Sequence, residues 1–557
     1  NLTESDISVD SPTNNFATMN PLDMDDSITV SEGNLKAIQS GVQHDAIRST
    51  MATSTGKWYF EVRVADVEDY IMLGLLDTEI DVGSNTYQKT GSWYFTTGGS
   101  TYHDNTETNT GLLATAAGDI VQVAYDLDAG KIWWGVNNTW LLSGNPSTGA
   151  NPVYSDLSGT LAPAGSIYQA SNGAIWNFGQ DSSFAGNKTA QGNQDSNEIG
   201  DFYYTPPTGF LALCTSNLPD VAVTPSEHFN TVLYTGTGSS QSITGVGFQP
   251  DFVWAKKRSE QGWHHLYDAI RGTTKVLYSN VTDAENTSTT NLTSFDVDGF
   301  SLGGAGGLGG DSPPVNAVAW NWKAPTSSNL TAAGERSMAT TSKLNADAKF
   351  EIITYTGNGT AGAKIGHSLG VPPELLIIRR RNAANTWTVY CPPAVDETKK
   401  IHLETYDPVV SNGTTLNSTA PTSTAITLGN DNRSNGNGDT YVIYAFASVD
   451  GYSKFGSYTG NGSTDGTFVY TGFKPMWVMV KRTTSNHDWD IYDSKRSTFN
   501  PMDDRLRAND NTAEADGGDI DFTSNGFKLR QTGNGNGGGT YIYIAFAETP
   551  FKYSNAR

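Results

Sequence analysis

Three stretches of the chain carry the same landmarks in the same order, and this repetition constrains the fold more than any other feature. Each opens on Tyr-Thr-Gly, at Tyr234, Tyr355 and Tyr458, with another glycine two residues further on at Gly238, Gly359 and Gly462. A Gly-x-x-Pro turn follows: Gly247-Phe248-Gln249-Pro250, Gly370-Val371-Pro372-Pro373 and Gly472-Phe473-Lys474-Pro475. Six residues past each proline stands a basic pair: Lys256-Lys257, Arg379-Arg380 and Lys481-Arg482. The residues between, such as Phe252-Val253-Trp254 and Leu375-Leu376-Ile377-Ile378, read as a buried strand. Tyr267-Asp268, Tyr390-Cys391 and Tyr492-Asp493 come next, and in two stretches an arginine follows three positions later, at Arg271 and Arg496. The first and third share Asp298-Gly299-Phe300 and Asn525-Gly526-Phe527, and all three close on an apolar run ending near Trp320, Phe446 and Phe546.

These landmarks predict three homologous β-sandwich modules, over 226–324, 347–449 and 450–557, each closing its own core. The Ser/Thr/Ala-rich stretch 325–346 reads as a linker, and the second and third modules are expected to pack in tandem. Residues 1–216 form a separate domain. There too the runs are strand-length and rich in β-branched and aromatic residues, as in Lys57-Trp58-Tyr59-Phe60-Glu61-Val62 and Ile120-Val121-Gln122-Val123-Ala124-Tyr125. Helical periodicity is almost absent. The chain is expected to be all-β.

Composition excludes more functions than it names. With 35 Lys+Arg against 58 Asp+Glu the net charge is −23, which disfavours nucleic acid and anionic membrane as partners. Cys214 and Cys391 are the only cysteines, too few for a disulfide scaffold or a cysteine-based zinc site. No apolar run is long enough for a membrane span, so no membrane insertion is expected. The start, Asn1-Leu2-Thr3-Glu4, shows neither the basic nor the apolar region of a signal peptide.

The first third resembles a SPRY domain, a jelly-roll β-sandwich. The likeness rests on Gly56-Lys57-Trp58-Tyr59-Phe60-Glu61-Val62, Gly118-Asp119-Ile120-Val121, Asp126-Leu127-Asp128-Ala129-Gly130-Lys131-Ile132-Trp133-Trp134, Asn137-Asn138-Thr139-Trp140 and Trp176-Asn177-Phe178-Gly179. It resembles the version found in structural proteins of tailed bacteriophages, where stretches like Asp10-Ser11-Pro12-Thr13-Asn14-Asn15-Phe16 and Gly209-Phe210-Leu211-Ala212-Leu213-Cys214 flank the domain. The repeats are similar to a β-rich module that follows it there, most closely at Thr244-Gly245-Val246-Gly247-Phe248-Gln249-Pro250-Asp251-Phe252-Val253-Trp254. The resemblance implies a non-enzymatic virion protein: a tail fibre, an appendage or a head decoration. Its implied partners are other virion proteins and a host cell-surface glycan or receptor, and it allows a homo-oligomer. A polysaccharide depolymerase and a bacterial surface lectin are the alternatives.

No catalytic residue and no cofactor are expected. Asp66, Glu68 and Asp69, or Glu514, Asp516, Asp519 and Asp521, could supply the two carboxylates of a glycosidase, but they sit where turn acids are ordinary. Asp126 with Asp128, and Asp296 with Asp298, are calcium candidates, since they place oxygen ligands on tight turns, but neither set has the later bidentate glutamate of a full loop and ordinary hairpin turns are the preferred reading. A sugar site needs an aromatic platform beside amides, and Trp93, Tyr94, Tyr102 and Asn105 are the candidates for one. Trp133, Trp134 and Trp140 read as structural, and so does His264 of the pair His264-His265, because the other stretches carry Trp387 and Trp489 there. The Tyr-Asp and basic-pair positions are expected to form a cross-strand ion pair.

Overall fold

Strand-length apolar runs do become strands, and among the described residues helix is confined to three-residue 3-10 turns. The computed structural model describes residues 10–11, 14–66, 70–304, 307–309, 315–334 and 336–554. The chain divides into two units, Asn1–Asp220 and Val221–Arg557.

The first unit is a sandwich of two sheets, antiparallel except where the short strand Leu211–Ala212 runs parallel to Lys57–Asp66. One orders the strands Met19–Met24, Asp45–Ser49, Leu161–Ile167, Ile71–Asp77, Ser92–Thr96, Thr101–His103 and Thr106–Thr108. The other orders Thr139–Trp140, Lys131–Val136, Ile120–Asp126, Lys57–Asp66, Gly173–Asn177, Lys36–Gln39 and Ile28–Ser31. The layers are tied by Trp134, whose indole N–H donates across the sandwich to the Leu73 carbonyl at 3.0 Å. Trp58, Trp133 and Trp176 are likewise fully buried.

A carboxylate sits at the centre of the second sheet. Glu61 is fully buried, and it accepts the backbone N–H groups of Tyr203 at 2.8 Å and Tyr204 at 2.7 Å. The Tyr59 hydroxyl at 2.9 Å and the Asn177 amide at 3.3 Å donate to it as well. It thereby holds the late 203–204 segment to the sheet. Burial pushes its pKa up to about 7, against the pull of the two backbone donors.

The second unit repeats one strand order three times. In each segment the closing strand lies between the opening strand and the strand after the Gly-x-x-Pro turn, and a short hairpin strand follows. The first is Phe229–Gly236, Val315–Trp322, Phe252–Lys257 and His265–Asp268. The second is Phe350–Thr356, Thr440–Phe446, Leu375–Arg380 and Thr388–Tyr390. The third is Ser453–Gly460, Gly539–Pro550, Phe473–Arg482 and Asp490–Asp493, within an eight-stranded sheet.

These sheets do not each close a single core. Val253 and Ala255 face a core of the first segment's own, while Phe252 and Trp254 on the same strand face a core common to all three. Leu376 and Ile378 face inward to the second segment, whereas Leu375 and Ile377 face the common core. Val478 and Val480 against Trp477 and Met479 repeat the division in the third. The physical reason is periodic: successive side chains point to opposite faces, so a strand apolar at every position has two faces to bury. Rings interlock in the common core across segments, with Phe252 stacked on Tyr444 at 4.2 Å and Trp320 edge-on to Trp477 at 6.1 Å. The common core joins the first segment to the second and third, beyond the tandem pairing expected of the last two. The expected linker is corrected: Thr326–Ser327 and Thr340–Asn345 are strands, and the latter pairs with Phe350–Thr356 along its whole length.

Polar contacts close the ring of segments. Glu285 N–H donates to the Arg381 carbonyl, Glu514 N–H to Arg258 and Val409 N–H to Thr483, at 2.8, 2.8 and 2.9 Å. At the first–second junction Arg381 grips Glu285 with two bonds, 2.9 and 3.0 Å long. Arg271 there joins Asp268 at 2.5 Å and Glu285 at 3.3 Å, and the Tyr444 hydroxyl donates to Asp268 at 2.9 Å. The third–first junction has the same set: Arg258 on Glu514, Arg496 on Asp493 and Glu514, and the Trp320 indole on Asp493. The expected partnership of Tyr-Asp with the basic pair is thus corrected: the aspartate pairs with the arginine three residues later. At the second–third junction Cys391, Ala394, Val409, Thr483 and Ile544 occupy the corresponding positions, and all but Thr483 lie in or against the common core.

Two outcomes follow. Glu61 holds a proton in the folded state between pH 4.5, its ordinary pKa, and about 7, where the unfolded chain has released it, so stability falls as pH rises through that window. Glu61→Gln removes this slope and leaves one backbone N–H without an acceptor, at a cost of about 1–3 kcal/mol. Urea denaturation should show the gap between wild type and variant narrowing from pH 5 to pH 8. In the ring, Asp268→Cys alone takes from the buried Arg271 guanidinium its nearest carboxylate, leaving only Glu285 at 3.3 Å, and should cost about 3 kcal/mol. Adding Arg271→Ala, Glu285→Val, Arg381→Thr and Tyr444→Ile, which copies the apolar junction, should return most of that loss in the same measurement.

Candidate functional site

The loop after each basic pair is pinned to the neighbouring segment, and this pinning shapes clefts at the junctions. Six residues past the first basic residue, Gly262 N–H donates to the Asn511 carbonyl at 2.8 Å, Asn385 to Thr282 at 2.9 Å and His487 to Tyr406 at 2.8 Å. The basic residue itself is buried beneath the loop. Lys256 donates to the carbonyls of Lys257 and Asn511, Arg379 to those of Asn385 and Asp283, and Lys481 to that of His487. Burial draws the pKa of Lys256 and Lys481 down to about 8.

Two residues further on, a ring stitches each junction. The Trp387 indole donates to the Tyr278 carbonyl and the Trp489 indole to the His402 carbonyl, both at 2.9 Å. His264 stands at the same place and faces the Arg507 carbonyl, short of full hydrogen-bond geometry. Its Nδ1 accepts the Trp254 indole N–H at 3.0 Å, and burial drives its pKa well below the usual imidazole range. The structural role expected of His264 fits this contact.

At the third–first junction the cleft measures about 440 Å³ and is lined by Lys257, Gln261, Trp263, His265, Tyr278, Asn291 and Asn511, with Gly262 and Gly307. Trp263 is 41% exposed and lies edge-on to Tyr278, ring centres 4.7 Å apart. Asn291 is only 8% exposed; its amide faces the Tyr267 hydroxyl, and its Oδ1 is short of full hydrogen-bond geometry with any group. His265 is held neutral, its pKa lowered to about 4 by burial, so Nδ1–H donates to the Trp263 carbonyl at 3.0 Å and Nε2 keeps its lone pair. Lys257 is paired with Glu260 at 2.7 Å. A corresponding cleft of about 390 Å³ at the second–third junction is lined by Tyr406, Asn486, His487, Asp488, Asp490, Arg507 and Asn534. Its charges are matched internally: Arg507 lies 3.2 Å from Asp488 and 3.6 Å from Asp490.

The residues expected to bind sugar do not form a platform. Trp93 and Tyr94 are adjacent on one strand, so they point to opposite faces, and both are buried. The Trp93 indole donates to Asp156 at 3.0 Å and stacks on His103, while Tyr94 packs with Met72, Leu76 and Ala164. Tyr102 is half-buried against that cluster, and Asn105, at φ +63°, forms a tight hairpin turn with Asp104.

The calcium candidates are spent on turns. Asp126 lies 3.1 Å from Lys57 and accepts the Ala129 N–H, and Asp128 accepts the Gly56 N–H. Asp296 accepts the Ser301 hydroxyl, and Asp298 the N–H groups of Gly245 and Gly247. Among the described residues no group of three or more His, Cys, Asp or Glu side chains could hold a metal.

The carboxylates considered for catalysis are mostly structural. Glu514 binds Arg258 and Arg496, Asp519 is buried against Arg505 and Tyr492, and Asp521 holds Arg530 at 2.6 Å. Asp66 and Asp516 are exposed, and Glu68 and Asp69 lie outside the described residues. One sequence signal did mark the Trp263 cleft. Where the first segment has Trp263, the others have Thr386 and Asp488, and a tryptophan at a loop position its counterparts fill with polar residues is not needed for the fold.

Comparison with known proteins agrees with the division into units. Residues 57–181 match the SPRY domain. Solved structures similar to this part include the SPRY domain of human HERC1, at 15% identity over 28% of this chain and 96% of that one, TM-score 0.24. Stonustoxin is 20% identical over 29% of this chain and 26% of its own, TM-score 0.24, and the TRIM65 PSpry domain 13% identical over 29% and 92%, TM-score 0.23. No curated protein matches the chain. Residues 224–550, which hold all three segments and more than half of the chain, match the domain of unknown function DUF7483, and the protein belongs to that family.

Proposed function

We propose that the chain is a non-enzymatic structural component of a tailed-phage virion, a tail fibre, appendage or head-decorating protein that contributes to attachment at the host surface. The observation that carries this reading is the closed ring of three β segments about one aromatic core. We take these segments to be tandem homologous modules, since landmark order, strand order and junction bonds coincide. A ring closed within one chain buries the faces that separate subunits would otherwise use, and it holds junction loops in fixed positions. Such a body suits presentation outside a cell. The order of a SPRY domain followed by these modules resembles phage structural proteins, which supports a place on the particle.

The consumption of Glu514, Asp519 and Asp521 in ion pairs favours binding over hydrolysis. The lectin alternative draws on the Trp263 cleft and differs in location rather than in chemistry.

Immunogold labelling of purified virions with antibody to the chain should decorate the particle at a fixed position. Absence of label from intact particles, with the protein found on the bacterial surface, would overturn the virion assignment in favour of the lectin. Incubation with host capsule or lipopolysaccharide should release no new reducing ends. Release that disappears on mutating a pair of acids would establish a depolymerase instead.

A further inference from the structure

We infer that the cleft between the first and third segments binds an uncharged saccharide, the Trp263 indole covering the apolar face of one sugar ring and the Asn291 side-chain amide accepting a hydrogen bond from a hydroxyl or amide of the ligand. The inference deepens the proposal of surface attachment and rests on it, because it names the ligand class of that activity.

Three observations lead to it. Eight tryptophans of the chain are fully buried, namely Trp58, Trp133, Trp134, Trp176, Trp320, Trp387, Trp477 and Trp489, whereas Trp263 keeps 41% of its surface in solvent. Tyr278 braces it from the side, so the exposed face belongs to a positioned ring. The second observation is Asn291. Its side chain is buried to more than nine-tenths, it lines the cleft, and its amide faces the Tyr267 hydroxyl while Oδ1 stays short of full hydrogen-bond geometry with any group, although buried acceptors are nearly always satisfied. A donor brought by a ligand would satisfy it. The third is size and charge. About 440 Å³ lies within the range of small-molecule sites, about 300–1,000 Å³.

The chemistry narrows the ligand. Lys257 is neutralised by Glu260, and His265 is uncharged at neutral pH, so the cleft offers no unmatched charge to a phosphate or a carboxylate. An all-apolar ligand would leave Asn291 unsatisfied and would cover the amides of Gln261 and Asn511 as well. A sugar ring offers one apolar face and several hydroxyl donors at its rim, which is the pattern these side chains present. The junction of the second and third segments lacks that pattern. Its acids face Arg507 and His487, and Asp488 stands where Trp263 does.

The test uses the full-length protein with a panel of methyl glycosides of neutral hexoses and N-acetylhexosamines, followed by saturation-transfer NMR and calorimetry. At least one should bind with a Kd of about 1 mM or tighter. Trp263→Ala should weaken that binding by about tenfold, while the variant still unfolds in one cooperative thermal transition, because Trp263 is 41% exposed and belongs to none of the buried cores. Asn291→Leu should weaken it comparably, and Tyr406→Ala, in the other cleft, should leave it unchanged. If no member of the panel binds, if binding ignores Trp263→Ala, or if inorganic phosphate competes for the site, the inference fails. Immunogold labelling of the virion is unaffected by any of these results, so failure here is distinguishable from failure of the particle assignment.

Discussion

The second unit depends on strands that are apolar on both faces. A strand whose side chains alternate between core and solvent can stop at one sandwich, but Leu375-Leu376-Ile377-Ile378 and Trp477-Val478-Met479-Val480 cannot. Each sheet hides one face by folding its own smaller strands over it, as Gln241–Thr244 and Gly299–Leu302 do in the first segment. The other face must find a different cover, and the two remaining segments supply it. Three sheets meeting on one core satisfy one another, and the ring of backbone bonds at their edges fixes how they meet. Burial drives the association, and the directional bonds set its register.

The ring is chemically uneven, and the unevenness is coordinated. Two junctions bury an aspartate, two arginines, a glutamate and an aromatic donor, while the third replaces all five with Cys391, Ala394, Thr483, Val409 and Ile544. Exchanging only the aspartate or only the arginine paired with it would leave a charge short of its partner in a dry interior, which costs far more than an intact network contributes. Made together the exchanges are tolerated, because an apolar set can fill the same space without desolvating charge. Cys391 is therefore one member of a matched set, and Ala394, where the other two junctions have arginine, is another.

Much of this is legible in the sequence, and the limit has a physical cause. The strands, the repeated order and the SPRY-like third follow from local composition and from landmarks that recur at fixed distances. Periodicity also holds the clue to the common core, since runs without alternation imply two buried faces, but it does not say which partner covers the second. That information lies in contacts between residues some hundred or more positions apart, such as Asp268 with Tyr444 or Arg258 with Glu514. The linker reading fails because composition reports flexibility only where no sheet edge is at hand, and Thr340–Asn345 meets such an edge at Phe350–Thr356. The pairing of Trp93 with Tyr94 as a platform fails for a simpler reason. Adjacent residues on a strand cannot share a face, whatever their suitability for sugar.

Repetition also explains why a cleft can arise at one junction without disturbing the others. The loop after each basic pair is anchored at both ends, by a backbone bond to the neighbouring segment and by the buried ring at His264, Trp387 or Trp489. Between those anchors lies a position whose side chain makes no contact common to the three junctions: Trp263, Thr386 or Asp488. Substitution there changes the lining of one cleft while leaving the stitching intact. Thr386 accepts a bond from Arg433 and Asp488 meets Arg507, so at these two junctions the position has been drawn into local contacts. At the remaining junction the side chain is a large ring left in solvent, beside a buried amide oxygen that stays short of full hydrogen-bond geometry. A ring of equivalent junctions thus allows one of them to take up binding chemistry while the other two continue to hold the body together.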